Sequence, residues 1–175
     1  SAQYTDMLSD VPLVIDAGAI PSLTKFVETH GRVAAPAVIT PHTGEFNTLS
    51  ELLGLGSAGE PNEERIAQVA AILGVTVLLK GSVTRVATPS GATGRYGPAT
   101  PWLATAGTGD VLGGILGALV AKHHRNISEH PESLLEISLS AALLHDAAAR
   151  TATAPFTALD VAEAIPQALH HISHT

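Results

Sequence analysis

Short apolar runs alternate with segments of helical period along the first half of this chain, and this alternation limits its fold more than any other feature. The runs have the length of buried strands, and they are Val11–Ile15, Ala37–Thr40 and Val75–Leu79. The predicted helices between them are Ser22–His30, Gly44–Leu53 and Pro61–Leu73, each followed by a glycine. Strands that alternate with helices predict a parallel sheet covered by helices on both faces.

The second half predicts an antiparallel hairpin and then helices. The hairpin joins Val83–Thr88 to Thr93–Tyr96 through a turn at Pro89–Gly91. The helices that follow are Gly109–Arg125, Glu132–Arg150 and Leu159–Ile172. The chain has 175 residues, 45% of them hydrophobic, so we expect residues 1–175 to form one α/β domain. Its predicted architecture is a three-layer one, with an open, mostly parallel sheet between helices.

Composition argues against several classes of function. The formal net charge of -7 provides no cationic surface for a phosphate backbone, and 3% aromatic residues leave few platforms for stacked bases. We therefore expect no nucleic-acid partner. The longest uncharged apolar run, Val111–Ala121, is far shorter than the ~20 residues that cross a bilayer, so we expect no membrane span. The lack of cysteine and of a basic, apolar leader favours the cytoplasm.

A glycine-broken turn precedes the most apolar helix, in the stretch ATAGTGDVLGGILGALVA. Gly107 and Gly109 can adopt conformations that turn their N–H groups toward one point, with Thr108 between them. The first turn of a helix also carries unpaired N–H groups and partial positive charge, which predicts an anion site. Asp110 has two interpretations, since an acid here either caps the helix or takes a proton from a bound hydroxyl group. The second interpretation requires a nearby cation.

Four polar residues lie just after the predicted strands. Asp16 ends the first strand, His42 and Glu45 follow the second, and Lys80 follows the third. The carboxyl ends of parallel strands meet at the edge of the sheet where ligands usually bind, so we expect these side chains to lie close together. Two less specific interpretations stay open, namely His42 as a surface imidazole and Glu45 as an acid favoured in a helix's first turn.

Five motifs occur in a fixed order along the chain. They are VIDAGAI at Val14–Ile20, TPHTGEF at Thr40–Phe46, LKG at Leu79–Gly81, ATAGTGDVL at Ala104–Leu112, and Leu144–His145. Together they resemble the ADP- or ATP-dependent NAD(P)H-hydrate dehydratases of the ribokinase-like superfamily. The GTGD element indicates only the superfamily, whereas His42 narrows it, because related small-molecule kinases usually have Asn there. The resemblance covers essentially the whole chain and implies a ribokinase-like fold.

The resemblance implies a repair reaction on a damaged coenzyme. The nicotinamide ring of hydrated NAD(P)H carries a hydroxyl group, to which ATP or ADP donates a phosphoryl group, and elimination then restores NADH or NADPH. Asp110 would remove the hydroxyl proton. The N–H groups of Gly107, Thr108 and Gly109 would hold the developing negative charge.

The resemblance also implies binding roles. His42, Asp16 and Asp110 would contact the hydrated coenzyme, and Glu45 would help to hold Mg2+ through water. The adenine nucleotide would be bound by Lys80, Gly81, Ser82, Val83, Thr84 and Gly109. The Mg2+ ion would be the cation that the interpretation of Asp110 as a base requires.

The sequence departs from the family's pattern in several places. Gly18 stands where a second Asp is usual. Asp146 and Arg150 follow His145 where small residues and then an acid are usual, so we assign no catalytic role to His145. The family's N-terminal portion has no counterpart before Asp16, so we expect the C-terminal portion of such a domain, without its N-terminal strands. The open sheet edge that this leaves favours self-association into a homo-oligomer.

Two other functions fit part of the pattern. A kinase for a small hydroxylated metabolite would share the Asp110 base but release a phosphorylated product. A non-catalytic fragment would bind nucleotide without turnover. Only the dehydratase restores the absorbance of the reduced nicotinamide.

Overall fold

Within residues 11–57 and 59–174, which the computed structural model describes, the chain forms a five-stranded sheet whose strand order follows the sequence. The strands are β1 (Leu13–Ile15), β2 (Ala37–Ile39), β3 (Thr76–Leu79), β4 (Thr84–Ala87) and β5 (Thr93–Tyr96). The first three strands are parallel, whereas β3, β4 and β5 pair antiparallel. The predicted hairpin therefore extends the parallel part into a mixed sheet.

Seven α-helices of the described residues cover this sheet. They are α1 (Ile20–His30), α2 (Thr43–Leu52), α3 (Glu63–Leu73), α4 (Thr108–Lys122), α5 (His124–Glu129), α6 (Leu134–Thr151) and α7 (Ala158–Ser173). Short 3-10 helices cover Ala17–Ala19, Pro101–Ala104 and Pro131–Ser133. None of the described helices is long and apolar enough to cross a membrane.

Alternating side chains along the strands place two hydrophobic clusters on opposite faces of the sheet. Val38, Leu78 and Val86 belong to the cluster that includes α4, α5, α6 and α7. Their chain neighbours Ile39 and Val77 belong to the other cluster, with α1, α2 and α3. The predicted three-layer α/β arrangement is therefore confirmed.

Most predicted elements differ from the structure by one to three residues at an end, and three of these differences have a local cause. β1 starts at Leu13 instead of Val11, where its pairing with β2 begins. The helix predicted to reach Arg125 ends at Lys122, because His123 has φ -103° and ψ 14° and so leaves the helical conformation. The helix predicted from Glu132 begins two residues later, because the three preceding residues form a 3-10 helix.

Truncation of Leu78 tests the assigned layering, since this side chain is fully buried in β3. We expect Leu78→Ala to lower the free energy of unfolding by roughly 2–5 kcal/mol, because it removes buried methyl groups and leaves a cavity. The matched control is Leu52→Ala, whose side chain is 59% exposed on α2. Urea unfolding followed by circular dichroism measures both variants, and equal losses of stability would contradict the layering.

Candidate functional site

Polar groups meet at the carboxyl edge of the parallel strands. Lys80 directly follows β3, and its Nζ lies 3.0 Å from Oδ1 of Asp16, which directly follows β1. The backbone of His42 forms a parallel bridge with Lys80. The structure thus brings Asp16, His42 and Lys80 to one edge of the sheet, although Asp16 and Lys80 are 64 positions apart in the sequence.

The Asp16 carboxylate is held in its ionised form. Burial raises the pKa of Asp16, but the nearby Thr40 hydroxyl group, the hydrogen bond from Lys80 and the charge of Lys80 outweigh burial and keep this pKa below its usual value. The Asp16–Lys80 pair lies against the start of α4. A Cβ added to Gly109 would lie 3.7 Å from Nζ of Lys80, and one added to Gly113 would lie 3.8 Å from Oδ2 of Asp16.

His42 and Glu45 form a capping box at the start of α2. Nδ1 of His42 accepts the N–H of Glu45 at 3.1 Å, and Oε2 of Glu45 accepts the N–H of His42 at 2.8 Å. The same carboxylate oxygen lies 3.5 Å from Nε2 of the imidazole. Glu45 is therefore an acid in the first turn of α2, which is one of the two interpretations that the sequence left open. The side chain of His42 is 60% exposed.

The turn before α4 depends on Gly107, whose φ of 85° is in the left-handed region that strains other residues. A Cβ there would also lie 3.1 Å from Cβ of Ala158. The Thr108 hydroxyl lies 2.7 Å from the carbonyl oxygen of Leu103, and the Thr108 N–H donates to Thr105. The N–H groups of Gly107 and Gly109 make no hydrogen bond with the described residues. Two of the three predicted donors are therefore available to an anion.

Asp110 lies in the first turn of α4 and is exposed. It does not cap the helix, because Gly107 is the N-cap residue and no side chain makes the cap hydrogen bond. Its carboxylate has no hydrogen-bond or ion-pair partner in the described part of the chain. The capping interpretation is therefore wrong, and the carboxylate is accessible to a ligand.

A cavity of about 500 Å³ opens beside this turn. The predicted site residues that line it are His42, Lys80, Gly81, Ser82, Thr84, Thr108 and Gly109. The predicted residues outside its lining are Asp16, Glu45, Val83, Gly107 and Asp110. The rest of the wall consists of Ala99, Thr100, Pro101, Leu103, Ala104, Leu112, Ala142 and His145. The cavity therefore has a polar side at the strand ends and a more apolar side toward α4 and α6.

Sequence reasoning did not assign the wall formed by residues 99–104 and α6 to the site, although Trp102 lies in this segment and the Leu144–His145 motif lies on α6. Trp102 anchors this segment by packing against Phe156, with ring centroids 6.1 Å apart. His145 is 7% exposed, and its Nε2 has no hydrogen-bond partner among the described residues. Burial lowers the pKa of His145 despite the opposing effects of the Thr108 backbone and the Asp146 charge, so the imidazole is neutral at pH 7.

Removing the charge of Asp16 tests its pairing with Lys80. Because the folded-state pKa of Asp16 is lowered, its ionised form stabilises the fold above the unfolded-state pKa, and this contribution disappears as the pH falls through the folded-state value. We expect Asp16→Asn to cost about 1 kcal/mol at pH 7, the scale of an accessible ion pair, and progressively less below about pH 4. Urea unfolding from pH 7 to pH 3 measures the difference. A cost that stays constant over this range would contradict the assignment.

Known proteins match this chain along most of its length. A family model described as NAD(P)H-hydrate dehydratase matches residues 5–170. A bifunctional NAD(P)H-hydrate repair enzyme of Mycobacterium tuberculosis is 40% identical over 116 residues, which are 65% of this chain and 23% of that protein. An ADP-dependent (S)-NAD(P)H-hydrate dehydratase of Neisseria meningitidis is 37% identical over 145 residues, which are 81% of this chain and 45% of that protein.

A solved structure matches as well. The ADP/ATP-dependent NAD(P)H-hydrate dehydratase of Bacillus subtilis, co-crystallised with ATP and Mg2+, gives a TM-score of 0.71 at 28% identity over 93% of this chain and 55% of that one. This match confirms the ribokinase-like fold. The chain spans less than half the length of the two curated relatives and about half of the solved one. Since the family model covers nearly all of this sequence, the chain belongs to the NAD(P)H-hydrate dehydratase family.

Proposed function

We propose that this protein catalyses the ADP- or ATP-dependent dehydration of hydrated NAD(P)H. The observation that carries the proposal is the first turn of α4. Gly109 of this turn lines the cavity together with Lys80, and the same turn carries the available N–H group of Gly107 and the exposed Asp110 carboxylate. The relatives from N. meningitidis and B. subtilis are dehydratases of this kind.

The adenine nucleotide occupies the cavity with its phosphates at the polar side. Lys80 supplies positive charge, and Gly109 supplies an N–H group at the positive end of the helix dipole. The residues that bind the nucleotide are Lys80, Gly81, Ser82, Val83, Thr84 and Gly109. Val83 does not line the cavity, and its inclusion rests on its place between Ser82 and Thr84, which do. The apolar side of the cavity, with Leu103 and Leu112, receives the base.

Asp110 is the general base of the reaction. Its carboxylate takes the proton from the ring hydroxyl group as the hydroxyl oxygen attacks the terminal phosphorus of the nucleotide. The bond from that phosphorus to the bridging oxygen breaks, and the shortened nucleotide leaves. The N–H groups of Gly107 and Gly109 stabilise the negative charge that develops on the transferred group, whereas the N–H of Thr108 is already donated to the carbonyl oxygen of Thr105. The electron pair of the ring nitrogen then expels phosphate, and loss of a ring proton restores the reduced nicotinamide.

The hydrated coenzyme lies on the other side of Lys80 from the nucleotide and contacts His42, Asp16 and Asp110. The imidazole of His42 supports this placement, because its side chain is 60% exposed and lines the cavity. Asp16 also holds Lys80 in place through the 3.0 Å ion pair.

Mg2+ fits this site as an ion held mainly by phosphate and water. Among the described residues, no group of three or more His, Asp or Glu side chains is arranged to hold a metal ion. Mg2+ usually keeps several waters and binds one or two carboxylates together with substrate phosphates. Oε2 of Glu45 already accepts the N–H of His42, and Glu45 would help to hold the ion through water. When bound, the ion neutralises charge on the phosphoryl group.

Replacement of Asp110 by Asn tests its role as the base, because the amide keeps the size of the side chain but not its basicity. We expect Asp110→Asn to reduce turnover by about 10²-fold or more while nucleotide affinity changes little. The assay is the return of reduced-nicotinamide absorbance after hydrated NADH is mixed with ATP or ADP and Mg2+. Isothermal titration calorimetry measures nucleotide binding.

The control for Asp110 is Glu28→Gln, an exposed acid on α1 in the opposite helical layer. This variant should retain full turnover. Unchanged turnover in Asp110→Asn would rule out Asp110 as the base. A phosphorylated product without restored absorbance would instead support the metabolite kinase, and nucleotide binding without any turnover would support the non-catalytic fragment.

We also propose that the protein self-associates through the outer edge of β1. No described strand pairs with this edge, and the side chains of Leu13–Ile15 are only half-buried. An open edge with apolar side chains favours pairing with another chain. We expect sedimentation velocity at micromolar concentration to show a dimer or a larger species. A monodisperse monomer would contradict this proposal.

A further inference from the structure

The buried carboxylate of Asp146 holds the cavity wall formed by residues 99–104, although Asp146 itself does not line the cavity. Asp146 on α6 is 2% exposed. Its Oδ1 accepts the N–H of Thr100 at 2.7 Å, and its Oδ2 accepts the Tyr96 hydroxyl at 2.9 Å and Nε–H of Arg150 at 2.8 Å. Arg150 also donates from Nη2 to the carbonyl oxygen of Pro98 at 3.2 Å. Asp146 and Arg150 therefore bind both ends of the 98–100 stretch to α6.

The donors around Asp146 keep its carboxylate ionised. Burial raises the pKa of Asp146, but hydrogen bonds from Arg150, Thr100 and Tyr96 hold this pKa below its usual value. Burial and the neighbouring Asp146 raise the pKa of Tyr96 to about 12, so the phenol stays a donor at neutral pH. Hydrogen bonds to an ionised acceptor are stronger than those between neutral groups, so Asp146 fixes its partners firmly.

The opposite side of the same segment is held by the backbone. Ala99 donates its N–H to the carbonyl oxygen of Ser82 at 2.8 Å. Gly97 has a φ of 140°, and a Cβ there would lie 2.8 Å from the same oxygen, so the chain passes this point only as glycine. Ser82, Ala99 and Thr100 all line the cavity. The position of this wall is therefore set by two anchors, the Ser82 carbonyl and the Asp146 carboxylate.

We propose that Asp146 is a positioning residue for the nucleotide. It does not line the cavity, so it acts through Thr100, whose backbone it holds at the wall. The inference rests on the proposed function, since it takes the nucleotide as the occupant of this cavity. Loss of the carboxylate releases the wall and weakens nucleotide binding, but leaves the groups at the start of α4 in place.

The first test is Asp146→Asn, which keeps the shape of the side chain but puts an N–H2 group where an acceptor is needed. We expect the Kd for ADP and for ATP, measured with Mg2+ by isothermal titration calorimetry, to rise on the order of tenfold. At saturating nucleotide, kcat and the KM for hydrated NADH should stay within about twofold, because the reacting groups are unchanged.

The matched control is Tyr96→Phe, which removes another donor from the same carboxylate but keeps the bond to Thr100. Its Kd for ADP should stay close to that of the unmodified protein. An equal rise of Kd in Tyr96→Phe, or an unchanged Kd in Asp146→Asn, would overturn the proposal. Failure of the unmodified protein to bind ADP and ATP would overturn the proposed function itself, and this inference with it.

A second pair of variants tests the same hydrogen bond without changing Asp146. This test can be made even if Asp146→Asn folds poorly. Thr100 has φ -60° and ψ 135°, which proline adopts without strain. Thr100→Pro and Thr100→Ala both lose the hydroxyl group, but only Thr100→Pro loses the N–H that Asp146 accepts. We expect Thr100→Pro to bind ADP more weakly than Thr100→Ala by on the order of tenfold. Equal affinities would show that this hydrogen bond does not position the wall.

Discussion

The parallel pairing of β1, β2 and β3 is the constraint on which the site depends. In-register pairing of Ile15 with Ile39, and of Ile39 with Val77, brings three strands to a common end. Each strand is followed there by a polar group, and the 3.0 Å contact between Lys80 and Asp16 links the two outer strands of the three. Without this register the ammonium group of Lys80 would have no counter-ion and no fixed place under α4.

The electrostatics of the site follow from this arrangement. Asp16 balances the charge of Lys80, so a lysine that is only 21% exposed is stable at the sheet edge. The partial positive charge at the start of α4 has no such balance from a capping side chain, since Gly107 is the N-cap residue. The unpaired N–H groups of Gly107 and Gly109 therefore favour an anion, and the same turn carries the exposed carboxylate of Asp110.

Local patterns predicted much of the fold and part of the site. The strand predicted at Val75–Leu79 appears as Thr76–Leu79, and the turn around Gly107 lies where its glycines indicate. The capping box of His42 and Glu45 was missed because histidine is not a preferred N-cap residue. The cavity wall formed by residues 99–104 was not assigned to the site for another reason. Thr100 and Asp146 are 46 residues apart, and no hydrophobic period or short motif encodes a hydrogen bond at that separation.

The two hydrophobic clusters on opposite faces of the sheet have a consequence for cooperativity. His42 belongs to the start of α2 on one face, Gly109 belongs to α4 on the other, and Lys80 extends from the sheet between them. A ligand in contact with all three joins helical layers that otherwise have separate cores. Partial unfolding of either layer would release such a ligand, so its binding energy is added to the stability of both layers. We therefore expect a bound ligand to make the unfolding of the two layers more cooperative.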